Sequence, residues 1–317
     1  MKDLGHLREE DFRSAFSIEN FLAACDRAFQ LYGRGILVNP PRSEMAREGY
    51  FHLEMAAEWP GKYRMRKTIE EYSDVSQGKL GERQAAILLE DLENGLEVKL
   101  DADYITDMRT GAAGVLGIKY LARTPVKRVA VLGTGRIAQV LVLALDRSFA
   151  LDEIRVTSRK AENRQIFEQR MAPQLAVSLY LSGDLEDAIR GVDAVLMAVP
   201  TPRPILSMQA LEGVQWLAAI GGDGRTRQLQ PEVLEGMGVV VDELQQARRS
   251  GEFKYARDSG RFEKICFARS AAGAILNIGD AACGRLEKSL IPPRLAYFTG
   301  LAVQDLCAAV MVYENSY

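Results

Sequence analysis

Histidine is almost missing from this chain: His6 and His52 are the two among 317 residues. With no cysteine or histidine cluster beside them, a structural zinc site is not expected. Cysteine is equally sparse. Cys25, Cys266, Cys283 and Cys307 are scattered without a close pair, the pattern of reduced thiols in a cytoplasmic protein rather than of a disulfide framework. No apolar run approaches the roughly 18 residues that cross a bilayer. The segment Met1 to His6 lacks the apolar core of a signal peptide, so no membrane partner is expected. Charge of one sign is lacking too. Forty basic residues face 43 acidic ones, which argues against a dominant basic face for nucleic acid. Internal repeats and low-complexity segments are absent.

What the chain does have is an ordinary globular composition, 47% hydrophobic and 26% charged, at a length sufficient for two domains. Ser17 followed by Ile18, Phe21, Leu22, Cys25, Ala28, Phe29 and Tyr32, with Gly33 closing the run, predicts an amphipathic helix. Strand-like pieces near 36–46, 50–56 and 63–72 come next. Ala85–Leu89 and Leu96–Leu100 flank Glu93-Asn94-Gly95, whose Asn-Gly step favours a hairpin. A helix is predicted from about Ile105 to Leu121. The first third therefore reads as a mixed, mostly antiparallel unit.

From Lys127 the pattern changes. Val129–Leu132, Ile154–Thr157, Val177–Tyr180, Ala194–Val199, Trp216–Ile220 and Val239–Val241 recur as apolar strands, most of them separated by helical stretches. Such alternation predicts an α/β fold with a Rossmann-type, doubly wound parallel sheet. Its first strand breaks into Gly133-Thr134-Gly135-Arg136-Ile137-Ala138 and then a helix-forming run. Strand, glycine turn and helix in that order are the context of a dinucleotide fingerprint. Gly133 allows the tight turn, Gly135 lets backbone approach a pyrophosphate, and Ala138 lets helix and strand pack closely. The positive end of the helix faces the phosphates. The second strand ends Thr157-Ser158-Arg159-Lys160 without the acidic residue that accepts ribose hydroxyls in NAD sites. Ser158, Arg159 and Lys160 suit a 2′-phosphate, so NADP is preferred and NAD remains possible. A solvated basic turn would look the same. Beyond Asp242 the signal weakens to Gly- and Ala-rich segments, Pro292-Pro293 marks a break, and Leu301–Tyr313 reads as a last helix returning to the first domain.

These residues resemble the ornithine cyclodeaminase/mu-crystallin family, and the likeness runs over nearly the whole chain. Pro40-Pro41-Arg42 matches the family's Pro-Arg segment, and Lys67 stands where the family places a lysine at a strand end. Ile105-Thr106-Asp107-Met108-Arg109-Thr110 resembles Leu-Thr-x-x-Arg-Thr, with isoleucine for leucine. Val129–Ala138 is similar to the segment ending Gly-x-Gly-x-Gln-Ala, with Ile137 for the glutamine. Ala198-Val199-Pro200-Thr201 resembles Ala-Thr-Pro-Ser, and Ile220-Gly221-Gly222-Asp223 matches the segment carrying an active-site aspartate. Phe298-Thr299-Gly300 through Asp305 resembles the C-terminal motif.

The resemblance implies a substrate-binding and dimerisation domain of mixed α+β build, residues 1–120 plus 293–317, completed by the C-terminal helix. It places an NAD(P)-binding Rossmann domain over 121–292 and implies a homodimer, with substrate held between the domains. Carried over residue by residue, it makes Arg42, Lys67 and Arg109 a clamp for a substrate carboxylate. A planar guanidinium pairs such a group through two parallel hydrogen bonds. Lys67 is alternatively a proton donor near an imine nitrogen. Asp223 would be the catalytic acid or base, although Gly-Gly-Asp-Gly alone equally suits a turn or helix-cap aspartate. Glu54 is implied as a carboxylate of the substrate side-chain pocket, against a plain strand residue. His52 reads as a packing or surface residue. Gly133, Thr134, Gly135, Arg136, Ile137, Ser158, Arg159, Lys160, Val199, Pro200, Thr299 and Gly300 are the implied cofactor contacts. The substrate is then a small amino or imino acid. The implied reaction is an NAD(P)H-dependent imine reductase or L-amino-acid dehydrogenase. A cyclodeaminase retaining NAD, or a binding protein like mu-crystallin, is the alternative.

Overall fold

A computed structural model describes residues 2–74, 79–222, 224–286 and 294–316. Two compact units emerge, Met1–Arg109 with Leu301–Tyr317, and Thr110–Gly300.

The first unit is built on a six-stranded sheet of β1 (Lys2–Leu7), β2 (Ser43–Arg47), β3 (Tyr50–Trp59), β4 (Tyr63–Asp74), β5 (Lys79–Asp91) and β6 (Leu96–Asp101). Its order is β1-β6-β5-β4-β3-β2, antiparallel except for the parallel edge pair β1–β6. β1 has no apolar alternation and is not foreseen in the sequence. The expected Asn-Gly hairpin joins β5 to β6. Asp91 there accepts the N–H groups of Glu93 and Asn94, and Gly95 takes the positive φ of 66° that the turn demands. The helix Ile18–Gly33 starts at Ser17, whose side chain forms a capping box with Asn20, and buries Phe21, Ala24, Cys25, Ala28 and Phe29. The terminal helix Ala302–Ser316 packs on that helix and on β3, β4 and β5. Alternation along the strands therefore turns Met55, Ala57, Met65, Lys67, Ile69, Ile87 and Leu89 into the buried layer.

The second unit holds seven parallel strands: β7 (Arg128–Leu132), β8 (Glu153–Thr157), β9 (Ser178–Ser182), β10 (Ala194–Met197), β11 (Trp216–Ile220), β12 (Gly238–Val241) and β13 (Arg294–Phe298). Their order is β12-β13-β11-β10-β7-β8-β9. β10, β11 and β12 are buried almost throughout, as central parallel strands must be. Strand order reverses between β7 and β10, and a doubly wound sheet binds ligands beyond the strand ends at such a point.

Two expected boundaries move. β13 falls inside 293–317, the segment grouped with the first domain, yet it inserts between β11 and β12 with all five residues buried. Its short apolar run carries no periodic flank that would announce a strand. The other boundary falls at Arg109/Thr110, inside the helix Asp103–Leu121, rather than after residue 120. Three glycines explain the shift. A β-carbon on Gly111 would lie 2.4 Å from Val140, on Gly114 2.9 Å from Leu141, and on Gly117 2.7 Å from the Phe298 ring. This bare stripe lets the helix press against the parallel-sheet unit.

Candidate functional site

At the switch point the chain leaves β7 through Gly133, whose φ of 110° is closed to ordinary side chains. Its N–H reaches the Thr157 carbonyl at 2.9 Å, tying the turn to the end of β8. Gly135 then caps the helix Arg136–Ser148, and no side chain caps the first N–H groups of that helix. They and the positive dipole end are left to a ligand. Beside them lies a cavity of about 430 Å³ lined by Leu132–Gly135, Thr157–Arg159, Gly183 and Ala198–Pro202. A β-carbon on Gly135 would meet no protein atom within 4 Å. The bareness of that residue therefore serves the cavity and not the packing. The residues fit a dinucleotide: a glycine turn and open helix end for the pyrophosphate, and hydroxyl and guanidinium groups at the end of β8.

Of the expected cofactor contacts, Gly133, Thr134, Gly135, Ser158, Arg159, Val199 and Pro200 line this cavity. Arg136 and Ile137 do not; they begin the helix behind it. Lys160 also lies off the lining, as the cap of the helix Ala161–Met171. Thr299 and Gly300 follow β13 and stand on a different support, Asp242, at the end of β12. That buried carboxylate accepts the N–H groups of Thr299 and Gly300, each at 2.7 Å, and the Thr299 hydroxyl at 2.8 Å. Burial pushes the Asp242 carboxyl above its usual range, although these donors oppose the shift. Arg164 escapes sequence reasoning. Its guanidinium donates to the Ser158 carbonyl and packs under Gly183, where a β-carbon would meet Nη2 at 3.0 Å. The cavity floor at β8 thus depends on it.

The first unit carries a second constellation. Lys67 on β4 is fully buried, and its Nζ donates to Asp305 Oδ1 and to Thr106 Oγ1, each at 2.7 Å. Arg109 brings its Nε to the same Asp305 oxygen at 3.1 Å. Among the described residues none takes a hydrogen bond from the terminal nitrogens of Arg109. Burial alone would raise the Asp305 carboxyl, but Arg109 and Lys67 outweigh it and hold it below the ordinary carboxylate range. Asp305 belongs to the C-terminal motif, yet sequence reasoning gives it no role. The usable signal is a lone acid in the apolar run Ala302–Val312.

Arg42 pairs with Glu44 at 2.6 Å. Glu54 is exposed and lies opposite Thr68, whereas Lys67 lies opposite Met55. Successive residues of a strand point to opposite faces, so Glu54 and Lys67 are on different sides of the sheet. His52 stacks on Tyr50, as a packing residue does. Asp223 lies outside the described residues. Among the described residues no group of three His, Cys, Asp or Glu side chains could hold a metal, and no helix is long and apolar enough to cross a membrane.

The chain is similar along its length to known proteins. Alanine dehydrogenase of Archaeoglobus fulgidus is 28% identical over 315 residues, covering 98% of this chain and 94% of that protein. Ketimine reductase mu-crystallin of Rattus norvegicus is 24% identical over 251 residues, 78% of this chain and 75% of that protein. Among solved structures, an archaeal alanine dehydrogenase dimer with bound NAD superposes with a TM-score of 0.83 at 27% identity, covering 98% of this chain and 95% of the other. The family model described as ornithine cyclodeaminase/mu-crystallin matches residues 7–317. A Rossmann-type sheet with a cavity at its glycine turn, and a mixed sheet carrying a buried Lys67–Asp305–Arg109 cluster, are thus parts of one chain that belongs to the ornithine cyclodeaminase/mu-crystallin family.

Proposed function

We propose that the protein is an NADPH-dependent reductase of imino acids, running in reverse as an L-amino-acid dehydrogenase. Hydride would be transferred at the α-carbon of a small carboxylate-bearing substrate. The observation that carries this reading is the guanidinium of Arg109. Asp305 takes its Nε edge, which leaves the terminal fork, the part that pairs a carboxylate through two parallel bonds. An α-carboxylate held there has its orientation fixed as well as its affinity.

A bound dihydronicotinamide nucleotide supplies the hydride. Lys67 holds a proton next to Asp305, and a cation there stabilises a carboxylate substrate and can return a proton to the nitrogen as the imine becomes an amine. Asp223 is proposed as the acid or base of that step. The cofactor preference rests on Ser158 and Arg159 at the cavity wall, donors suited to a 2′-phosphate where no acid is present. We further infer a homodimer, the state of the archaeal alanine dehydrogenase structure it resembles.

The test is turnover. With NADPH and cyclic imino acids such as pyrroline-2-carboxylate, dihydronicotinamide absorbance should fall. Absence of turnover across a panel of imines and amino acids with both nucleotides would remove this reading. Release of ammonia from ornithine without net change in the nucleotide would replace it with cyclodeamination.

A further inference from the structure

Gln228 precedes the helix Pro231–Gly236 and is 2% exposed. Both ends of its side-chain amide are used. Oε1 accepts the N–H of Val199 at 2.9 Å, and Nε2 donates to the carbonyl of Ile220 at 2.7 Å. Val199 lines the nucleotide cavity just past β10, and Ile220 is the last residue of β11, directly before Gly221. The ladder between β10 and its neighbours ends at Met197. Past that point no strand offers Val199 a carbonyl, and its half-buried N–H takes its partner from elsewhere. The Gln228 amide meets that need, and it does so by bridging two neighbouring strand ends.

The bridge is itself anchored. The backbone N–H of Gln228 donates to Glu252 Oε1 at 2.6 Å, and its carbonyl accepts the N–H groups of Ile205 and Leu206 at 2.9 and 3.2 Å. Glu252, 3% exposed, takes the Tyr297 hydroxyl on its other oxygen at 2.5 Å. A β-carbon on Gly221 would lie 2.4 Å from that hydroxyl, so the Tyr297 side chain packs directly against the start of the loop after β11. One chain of bonds therefore runs from Val199 through Gln228 and Glu252 to Tyr297, which packs against Gly221. Glu252 and Tyr297 are the buried support, and neither lines the cavity.

We propose that Gln228, backed by Glu252 and Tyr297, is a positioning residue for the nicotinamide half of the bound dinucleotide, fixing the loops after β10 and β11. The inference rests on the reading that the cavity takes a dinucleotide. In a doubly wound sheet the first mononucleotide-binding half, here β7 to β9, carries the adenosine end. The nicotinamide end lies across the switch point, on the side of β10 and β11. Gln228 touches only that second side. It should therefore govern the affinity of the whole dinucleotide and leave that of its adenosine half alone.

Two variants test this, each measured for melting temperature and for binding of NADPH and of 2′,5′-ADP, the adenosine half by itself. Gln228→Met keeps length and volume while removing both amide bonds. Tyr297→Phe removes a single oxygen and carries the same expectation should the buried Gln228→Met change prevent folding. The NADPH dissociation constant should rise about tenfold, the loss of roughly one net hydrogen bond, while that of 2′,5′-ADP stays within about twofold. If wild type prefers NADH, the pair becomes NADH and ADP. Equal weakening of both ligands, or weakening of neither, in a folded variant overturns the proposal. Wild-type protein that binds neither the dinucleotides nor the adenosine fragments overturns instead the nucleotide reading of the cavity.

Discussion

At the fully buried Asp305 two cations share one carboxylate oxygen. Removing one member of a buried ionic cluster strands the others, which commonly costs roughly 3–5 kcal/mol. Asp305→Asn should therefore lower stability by an amount of that order in denaturant titrations. The pH dependence follows from the sign of the shift. Held below the ordinary range, the carboxyl contributes stability that is full above the unfolded-chain value of about 3.9 and is lost as pH falls through its folded value. Wild-type melting temperature should thus fall more steeply than that of Asp305→Asn on acidification through this window. The proposed cofactor preference is tested at a second residue. Arg159→Ala should weaken NADPH about tenfold and leave NADH within about twofold, because one charge-assisted bond to the 2′-phosphate is lost. Equal affinities for the two nucleotides in the wild type would refute the NADP preference. Arg159 was singled out because an acid is missing where NAD sites carry one. Asp305 was not, since nothing local says which residues its carboxylate meets.

Among elements, the turn into the helix Arg136–Ser148 and the helix Asp103–Leu121 use glycine for opposite reasons. Gly135 has φ −76° and ψ −175°, backbone that valine adopts without strain, and faces open space. Gly135→Val should keep its melting temperature and lose nucleotide binding, read by fluorescence of the dihydronicotinamide. A β-carbon on Gly117 would lie 2.7 Å from the Phe298 ring. Gly117→Val should instead destabilise the fold by about 1–3 kcal/mol through overpacking, visible as a lower unfolding midpoint. The fingerprint turn is readable from sequence because its demands are local: one residue with positive φ, one without a side chain, a helix at once. The glycine stripe at 111, 114 and 117 is present in the same sequence, but its partners Val140, Leu141 and Phe298 are chosen by packing.

For the whole molecule, the six-stranded sheet presents a face bearing Met45, His52, Glu54, Glu70 and Tyr72, with Met45 54% and Tyr72 47% exposed. Exposed apolar side chains on a sheet face fit a contact between copies. Light scattering on the eluting protein should give twice the chain mass, and Tyr72→Asp should shift the population toward monomer. A monomeric wild type would contradict the inferred dimer.

Taken by itself, the sequence determined the parallel sheet, its glycine turn, the Asn-Gly hairpin and the family, because strand period, helix caps and glycine backbone demands are written within a few residues. Tertiary structure decided the rest. The turn between Trp59 and Tyr63 sets Glu54 opposite Thr68 and not Lys67, which turns the two charges to opposite faces. Lys67 and Asp305 meet across 238 residues of chain, and Val199 and Gln228 across 29. Such meetings depend on register and on which strand inserts beside which, as β13 does between β11 and β12. No local pattern encodes them, because the energy that selects them comes from burying the assembled layers together.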